Sequence, residues 1–527
     1  MNKKILYVSL GIILVAAIVL LRNQSQRRVA VTGQNFQQFA SDVSGLPADT
    51  SSQVVELKNG DTYNLTASMV KKTIARSTVK MLAYNGSVPG PTIKVEQGSE
   101  VTMHFTNNTD VDTTIHPHGI RGGSKFDGVP EVSQKPVKPG ESFAYTLQFP
   151  DAGVYWYHPH IREDYAQELG LYGNFLVTPK DAAYWSPVNQ EVALMVDDIL
   201  LEGGKITPFS TGQADHALMG RFGNAMLVNG STNYMFNAKQ GEVVRFYITN
   251  SANTRVFNLS IPNAKLKLVG ADNGKYERES FVDSIILAPS ERAIVEVLFE
   301  KTGTFTLEHR TPEKTYTLGS ITVSAEPMAQ VYAKEFQTLR INSDVITGID
   351  PLRNQFSRNP DKNLTLTVGL QGMGGMGGGN GQHMMGNGMM MSNTDKIEWE
   401  DSMAMMNAVA TPDTTKWKIV DTETKKEGMD IDWKFKVGDK VKVRIVNDPK
   451  SQHPMQHPIH FHGQRFLVLA TNGVPNTNLV WKDTTLVQNG DTVDILVDMS
   501  NPGTWMAHCH IAEHLESGMM FPFTVTP

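Results

Sequence analysis

From about residue 51 onward, apolar Val, Ile, Phe and Tyr alternate with polar residues over short stretches separated by Gly, Pro and Asn. A period of two puts successive side chains on opposite faces of an extended chain. The pattern therefore predicts short, half-buried β-strands between tight turns, one of them near 364–370. Helical periodicity is scarce. The N-terminus breaks the pattern: Ile5 to Leu21 carries no charge, with Lys3 and Lys4 before it and Arg22, Arg27 and Arg28 after it. That run exceeds a secretory apolar core of about 7–15 residues and approaches the lower limit of a membrane span. Residues 1–28 are expected to be a signal peptide or signal anchor, the lack of a clear small-residue cleavage site favouring the anchor. The polar stretch 29–50 reads as a tether. The rest of the chain is then expected outside the cytoplasm, in the periplasm or at the cell surface, with possible membrane anchoring through residues 5–21.

The strand pattern repeats at long period. Gln97-Gly98-Ser99-Glu100-Val101 leads to Ile115-His116-Pro117-His118-Gly119, and Val437-Gly438-Asp439-Lys440-Val441 leads to Ile459-His460-Phe461-His462-Gly463. Between them, Gln240-Gly241-Glu242-Val243 leads to Val256-Phe257-Asn258-Leu259-Ser260. A second stretch repeats in step: Gly153 to His158-Pro159-His160, Gly303 to Glu308-His309-Arg310, and Gly503 to His508-Cys509-His510. One β-sandwich used three times is the expectation, over 51–182, 183–326 and 327–527, which agrees with a chain of 527 residues being too long for a single core. The outer copies carry His-x-His twice; the middle copy does not, and His309 reads there as a leftover without a partner.

Charge adds one exclusion: a net charge of −6 leaves no basic footprint for nucleic acid. The single cysteine, Cys509, rules out an intramolecular disulfide, so its neighbours must explain it. Ten of the 15 histidines fall in four motifs: His116 and His118; His158 and His160; His457, His460 and His462; His508, His510 and His514. On a strand each His-x-His shows two imidazoles on one face. A lone pair of this kind is most simply a surface pair, but four pairs at matching repeat positions point to metal. Imidazole alone does not choose among zinc, copper, iron and nickel. The last motif does: His457, Cys509, His514 and Met519 supply two imidazoles, a thiolate and a weak thioether, which is the blue-copper electron-transfer set. Strand alternation turns Cys509 away from His508 and His510, so one short segment serves two centres.

These motifs, in this order, resemble the four signatures of the multicopper oxidases, the family of laccases, ferroxidases and bacterial copper-resistance oxidases, over residues 51–527. The resemblance implies an all-β fold of three cupredoxin-like Greek-key β-sandwich domains behind an N-terminal hydrophobic targeting or anchor segment. It implies four copper ions: type 1 at His457, Cys509 and His514 with Met519 axial; type 2 at His116 and His460; type 3 at His118, His158 and His510 and at His160, His462 and His508. It also implies dioxygen as acceptor for electrons taken singly from a reductant. Two positions depart from the family pattern. Pro117 stands where Trp is common, and Leu515 stands where many bacterial members have a proton-delivering acid. Glu513 and Glu516 are the nearby substitutes. Asp127 matches the acid near the type 2 copper; on local sequence, Asp127-Gly128 reads equally as a turn.

Residues 371–406 interrupt the β pattern of the third copy with a Gly-rich segment holding ten of the 25 methionines and His383. Thioether sulfur prefers Cu(I), so this segment is expected to recruit Cu(I), whereas a plain low-complexity linker would use Ser and other polar residues. The expected reductant is Cu(I), with phenols or other small reductants beside it. The rivals are a laccase with an organic natural substrate and a copper-sequestering protein without turnover. A copper nitrite reductase would not need the second His-x-His in both outer copies.

Overall fold

The computed structural model of the chain describes residues 37–371 and 396–527. The expected leader 1–28, the start of the tether and the methionines between 372 and 395 lie outside the described residues. Among the described residues no helix is long and apolar enough to cross a membrane. Six sheets of four to seven strands pair into three sandwiches, spanning Val54–Thr178, Gln190–Ser324 and Lys362–Thr526. Each closes on its own apolar core.

The two-residue period works as the sequence predicts where one face is wet. Along Glu100–Asn108, Val101, Met103, Phe105 and Asn107 are buried while the residues between them are not. The period disappears where both faces are covered. Every residue of Val243–Asn250 is buried, because this middle strand also meets the first sandwich, where Tyr247, Val269 and Ile294 cluster with Val154.

One sheet of each sandwich has the same strand order. In the middle sandwich Tyr234–Lys239 runs parallel to Thr315–Ser324, then Gly303–Arg310 and Phe257–Ser260 follow antiparallel. In the third, Trp433–Lys436 runs parallel to Met520–Thr526, then Gly503–Cys509 and His457–Phe461 follow. The first repeats this with Thr92–Glu96, Gly173–Thr178, Gly153–His158 and His116–His118. In the middle sheet Leu259 pairs with His309 as Ile459 pairs with Cys509. His309 thus occupies the position of the cysteine. It is not without a partner, since its Nδ1 accepts the Asn258 N–H at 3.0 Å.

Candidate metal centre

Four strands deliver the donors. Antiparallel pairing puts His116 opposite His158 in the first sandwich and His460 opposite His508 in the third. Only His116–His118 lies wholly within a strand; His160, His462 and His510 each follow the last residue of theirs. The alternation expected of all four pairs therefore holds throughout one, and backbone contacts just past the strand ends fix the others. The N–H of His160 donates to Thr114 Oγ1 (3.2 Å), that of His462 to the Met506 carbonyl (2.9 Å) and that of His510 to the Pro458 carbonyl (2.7 Å).

The two outer sandwiches interleave their rings. His116 stacks on His462 with centroids 4.0 Å apart, and His118 on His460 at 3.8 Å. Most of these rings are tied down at Nδ1: His116 to the Asp127 carbonyl (2.7 Å), His158 to the Pro159 carbonyl (2.7 Å), His460 to the Asp483 carbonyl (2.8 Å), His508 to the Cys509 carbonyl (2.9 Å) and His462 to Asp127 Oδ2 (2.9 Å). A carbonyl or carboxylate only accepts, so Nδ1 carries the hydrogen and Nε2 keeps a lone pair. Nε2 of His116, His158, His160, His460 and His510 is buried without a hydrogen-bond partner, and those of His462 and His508 face each other at 2.9 Å. His118 is reversed: its Nε2 donates to Asp483 Oδ1 at 3.0 Å and its buried Nδ1 has no partner.

Orphaned lone pairs in a dry pocket are costly unless a cation gathers them. The donors of His116, His118 and His158, of His116, His460 and His462, and of His160, His462 and His508 each lie within 4.8 Å of one another. His116 and His462 recur between groups, so the pocket suits more than one ion. Burial holds His508 at about 4 and His118, His158, His160, His460, His462 and His510 well below the usual histidine value, which keeps those seven in the neutral form that binds metal.

On the opposite face, Cys509 Sγ lies 3.6 Å from His457 Nδ1 and 3.9 Å from His514 Nδ1, which are 3.4 Å apart. A central ion with bonds of about 2.0–2.3 Å leaves edges of this length. Burial pushes the Cys509 thiol up and holds His457 down at about 3, so a metal that displaces the thiol proton fits the set. Met519 is fully buried in the same core, its carbonyl accepting the Cys509 N–H at 3.0 Å. Trp417 covers this centre, stacked on His514 at 4.0 Å.

The acids divide. Asp127 touches the histidine centre, with Oδ1 3.3 Å from His116 Nδ1 in addition to its bond to His462. It also lies in a bend: its N–H donates to the Ser124 carbonyl at 3.1 Å, Gly128 has φ +77, and a Cβ there would overlap the Ile115 carbonyl. Glu513 faces the middle sandwich, accepting from Thr254 Oγ1 at 3.2 Å, and Glu516 accepts the Glu163 N–H at 3.3 Å. Burial raises them to about 8 and about 7. Glu163, three residues after His160, was not singled out in the sequence, yet its carboxylate lies 3.5 Å from His160 Nδ1 and 4.0 Å from His158 Nδ1. Asp483 and Thr484 were missed as well; Trp481-Lys482-Asp483-Thr484 carries no signal in sequence, because the histidine it serves is 365 residues away.

Sequence profiles described as multicopper oxidase match residues 66–182, 189–325 and 399–527. The chain is 27% identical to multicopper oxidase mco of Staphylococcus haemolyticus over 455 residues, 84% of each chain. It is 23% identical to a copper resistance protein A homolog of Pseudomonas syringae pv. tomato, over 88% of this chain and 92% of that one. The crystal structure of a multicopper oxidase from Campylobacter jejuni, titled a metallo-oxidase, superposes with TM-score 0.66 at 25% identity, covering 94% of this chain and 98% of the other. The chain belongs to the multicopper oxidase family. It is a copper oxidoreductase built from cupredoxin-like domains.

Proposed function

We propose that the chain oxidises Cu(I) and reduces dioxygen to water, using four resident coppers. His457, Cys509 and His514, with Met519, would hold a type 1 ion; His116 and His460 a type 2 ion; His118, His158 and His510, and His160, His462 and His508, the type 3 pair. When bound, these ions supply a one-electron acceptor at the thiolate and a four-electron donor to dioxygen among the histidines. The observation that supports the reading is the strand ending at Cys509: its sulfur lies with His457 and His514, while the His508 and His510 rings beside it lie among the other histidines. Four cuprous ions would give one electron each, and dioxygen would take up four electrons and four protons to become two waters. Asp127 is the acid that touches His116 and His462, and Glu513 and Glu516, which burial pushes up toward neutral pH, are candidate proton donors.

Cu(I) is favoured over an organic reductant by what lies around Trp417. Its Nε1 donates to the Ala217 carbonyl at 2.7 Å. Met403 and Met406, the described end of the methionine segment, pack on Ala217, Leu218, Met219 and Phe222. That segment therefore ends on the cluster whose Ala217 carbonyl holds Trp417, the ring stacked on His514. Export to an extracytoplasmic compartment, supported by the charge and apolar pattern of residues 1–28, would put the enzyme where external copper arrives.

Oxygen uptake by the copper-loaded protein should be compared with Cu(I), Fe(II), Mn(II) and a phenol, before and after deletion of 372–395. The reading expects the deletion to slow Cu(I) oxidation at low copper while sparing the phenol. The reverse outcome would identify an organic reductant, and no oxygen uptake with any reductant would leave only sequestration.

A further inference from the structure

The middle sandwich gives no donor to either proposed copper centre, but Arg292 reaches the histidine centre from it. Its side chain is fully buried. Nη1 and Nη2 donate side by side to Asp483 Oδ1 and Oδ2 at 2.6 and 2.5 Å. Nε donates to the Val154 carbonyl at 3.0 Å, on the strand that ends at His158, and Nη1 also donates to the Ser290 carbonyl at 2.9 Å. One guanidinium thus joins all three sandwiches. Asp483 passes the connection on. Its Oδ1 accepts from His118 Nε2 at 3.0 Å and from Thr484 Oγ1 at 3.0 Å, and its carbonyl accepts from His460 Nδ1 at 2.8 Å.

A buried ion pair alone is weak ground for any role, since removing two charges from water offsets their attraction. The middle sandwich contains a second such pair, Arg245 with Glu296 at 2.6 Å, both buried, that touches no histidine. What sets Arg292 apart is the further use of its carboxylate. A carboxylate gripped at both oxygens by a planar fork cannot rotate, so the side of Oδ1 left to His118 Nε2 and the Thr484 hydroxyl keeps its direction. The backbone of the first motif is shaped around the same pair. Gly119 has φ +82, and a Cβ there would overlap Asp483 Oδ2 and come within 2.9 Å of Arg292 Nη2.

We propose that Arg292 is a positioning residue for the histidine centre: by clamping Asp483 it holds His118 with Nε2–H outward and Nδ1 turned to the metal. This rests on the copper reading above. Without the clamp, Asp483 keeps the Thr484 hydroxyl on one oxygen only, so it can turn, and His118 can flip to present the other nitrogen.

Three variants test it in the copper-loaded full chain. Arg292→Lys keeps the charge and loses the fork, Arg292→Met loses both, and Arg245→Met breaks the pair that touches no histidine. Both Arg292 variants should keep the thiolate absorbance and release histidine-bound copper to a competing chelator about 10- to 100-fold more readily. Their electron paramagnetic resonance signal from the histidine centre should be altered. Arg245→Met should lower the melting temperature and change neither readout. Unchanged copper retention and an unchanged signal in Arg292→Lys and Arg292→Met would overturn the proposal, as would equal losses in Arg245→Met. Arg292→Lys carries the test if Arg292→Met does not fold. A wild-type protein that binds no copper beyond the thiolate centre would instead sink the copper reading itself.

Discussion

Gly128 donates nothing to a metal, but it fixes the acid that does touch the centre. Its φ of +77 and the Ile115 carbonyl where a Cβ would lie leave no room for a side chain. Gly128→Ala should therefore cost at least about 1–2 kcal/mol in the left-handed backbone alone, read as a lower denaturation midpoint. It should also displace Asp127 from His462 and slow oxygen reduction while sparing the thiolate absorbance. Normal stability with normal turnover would mean that the Asp127 turn is dispensable. At this scale the sequence was legible for the candidate donors, because His-x-His and the spacing from Cys509 to His514 are local. It was silent on which nitrogen His118 presents. That choice depends on Asp483, a neighbour only after folding.

The strand Gly503–Cys509 shows how one element serves two centres. Its last residue turns Sγ toward His457 and His514, while His508 and the following His510 lie among the rings of the histidine centre. Cys509→Ser should abolish the thiolate absorbance and bring oxidase activity to background, with the histidine-bound copper retained. Loss of all copper from a folded Cys509→Ser protein would mean the two centres do not bind independently. Strand alternation, readable from sequence, gave the opposed faces. It did not give the ends of the strands, because three of the four second histidines are aimed by contacts beyond the last ladder pair, such as His160 with Thr114. Glu163 went unread for the same reason, being held in a short helix, Glu163–Ala166, that packs between sandwiches.

Across the whole molecule, burial sets two opposed groups of titrating side chains. His457 and His508, held at about 3 and about 4, refuse protons that the unfolded chain accepts below about 6.5, so their stability is present above that pH and lost as pH falls. Glu513, Asp197 and Glu516, raised to about 8, about 8 and about 7, keep protons that the unfolded chain gives up above about 4.3, so their contribution is lost as pH rises. Each group contributes about 1.4 kcal/mol per pH unit within its window. Copper-free protein should then weaken as pH falls below about 4.5 and as it rises above about 6.5, the two contributions opposing each other in between, measured as the denaturation midpoint against pH. A midpoint that climbs steadily from pH 6.5 to 8 would contradict the buried acids. By itself the sequence determined the β class, the threefold repeat and the candidate donor residues, since period-two alternation and motif spacing are properties of neighbours along the chain. Only the tertiary structure decided that His118 offers Nδ1 where His116 and His460 offer Nε2, which acid touches which histidine, and that the middle sandwich grips the centre through Arg292. The contacts of His118 with Asp483, of His462 with Asp127 and of Arg292 with Asp483 join residues 365, 335 and 191 positions apart, and their hydrogen-bond geometry exists only once the three cores have closed on one another.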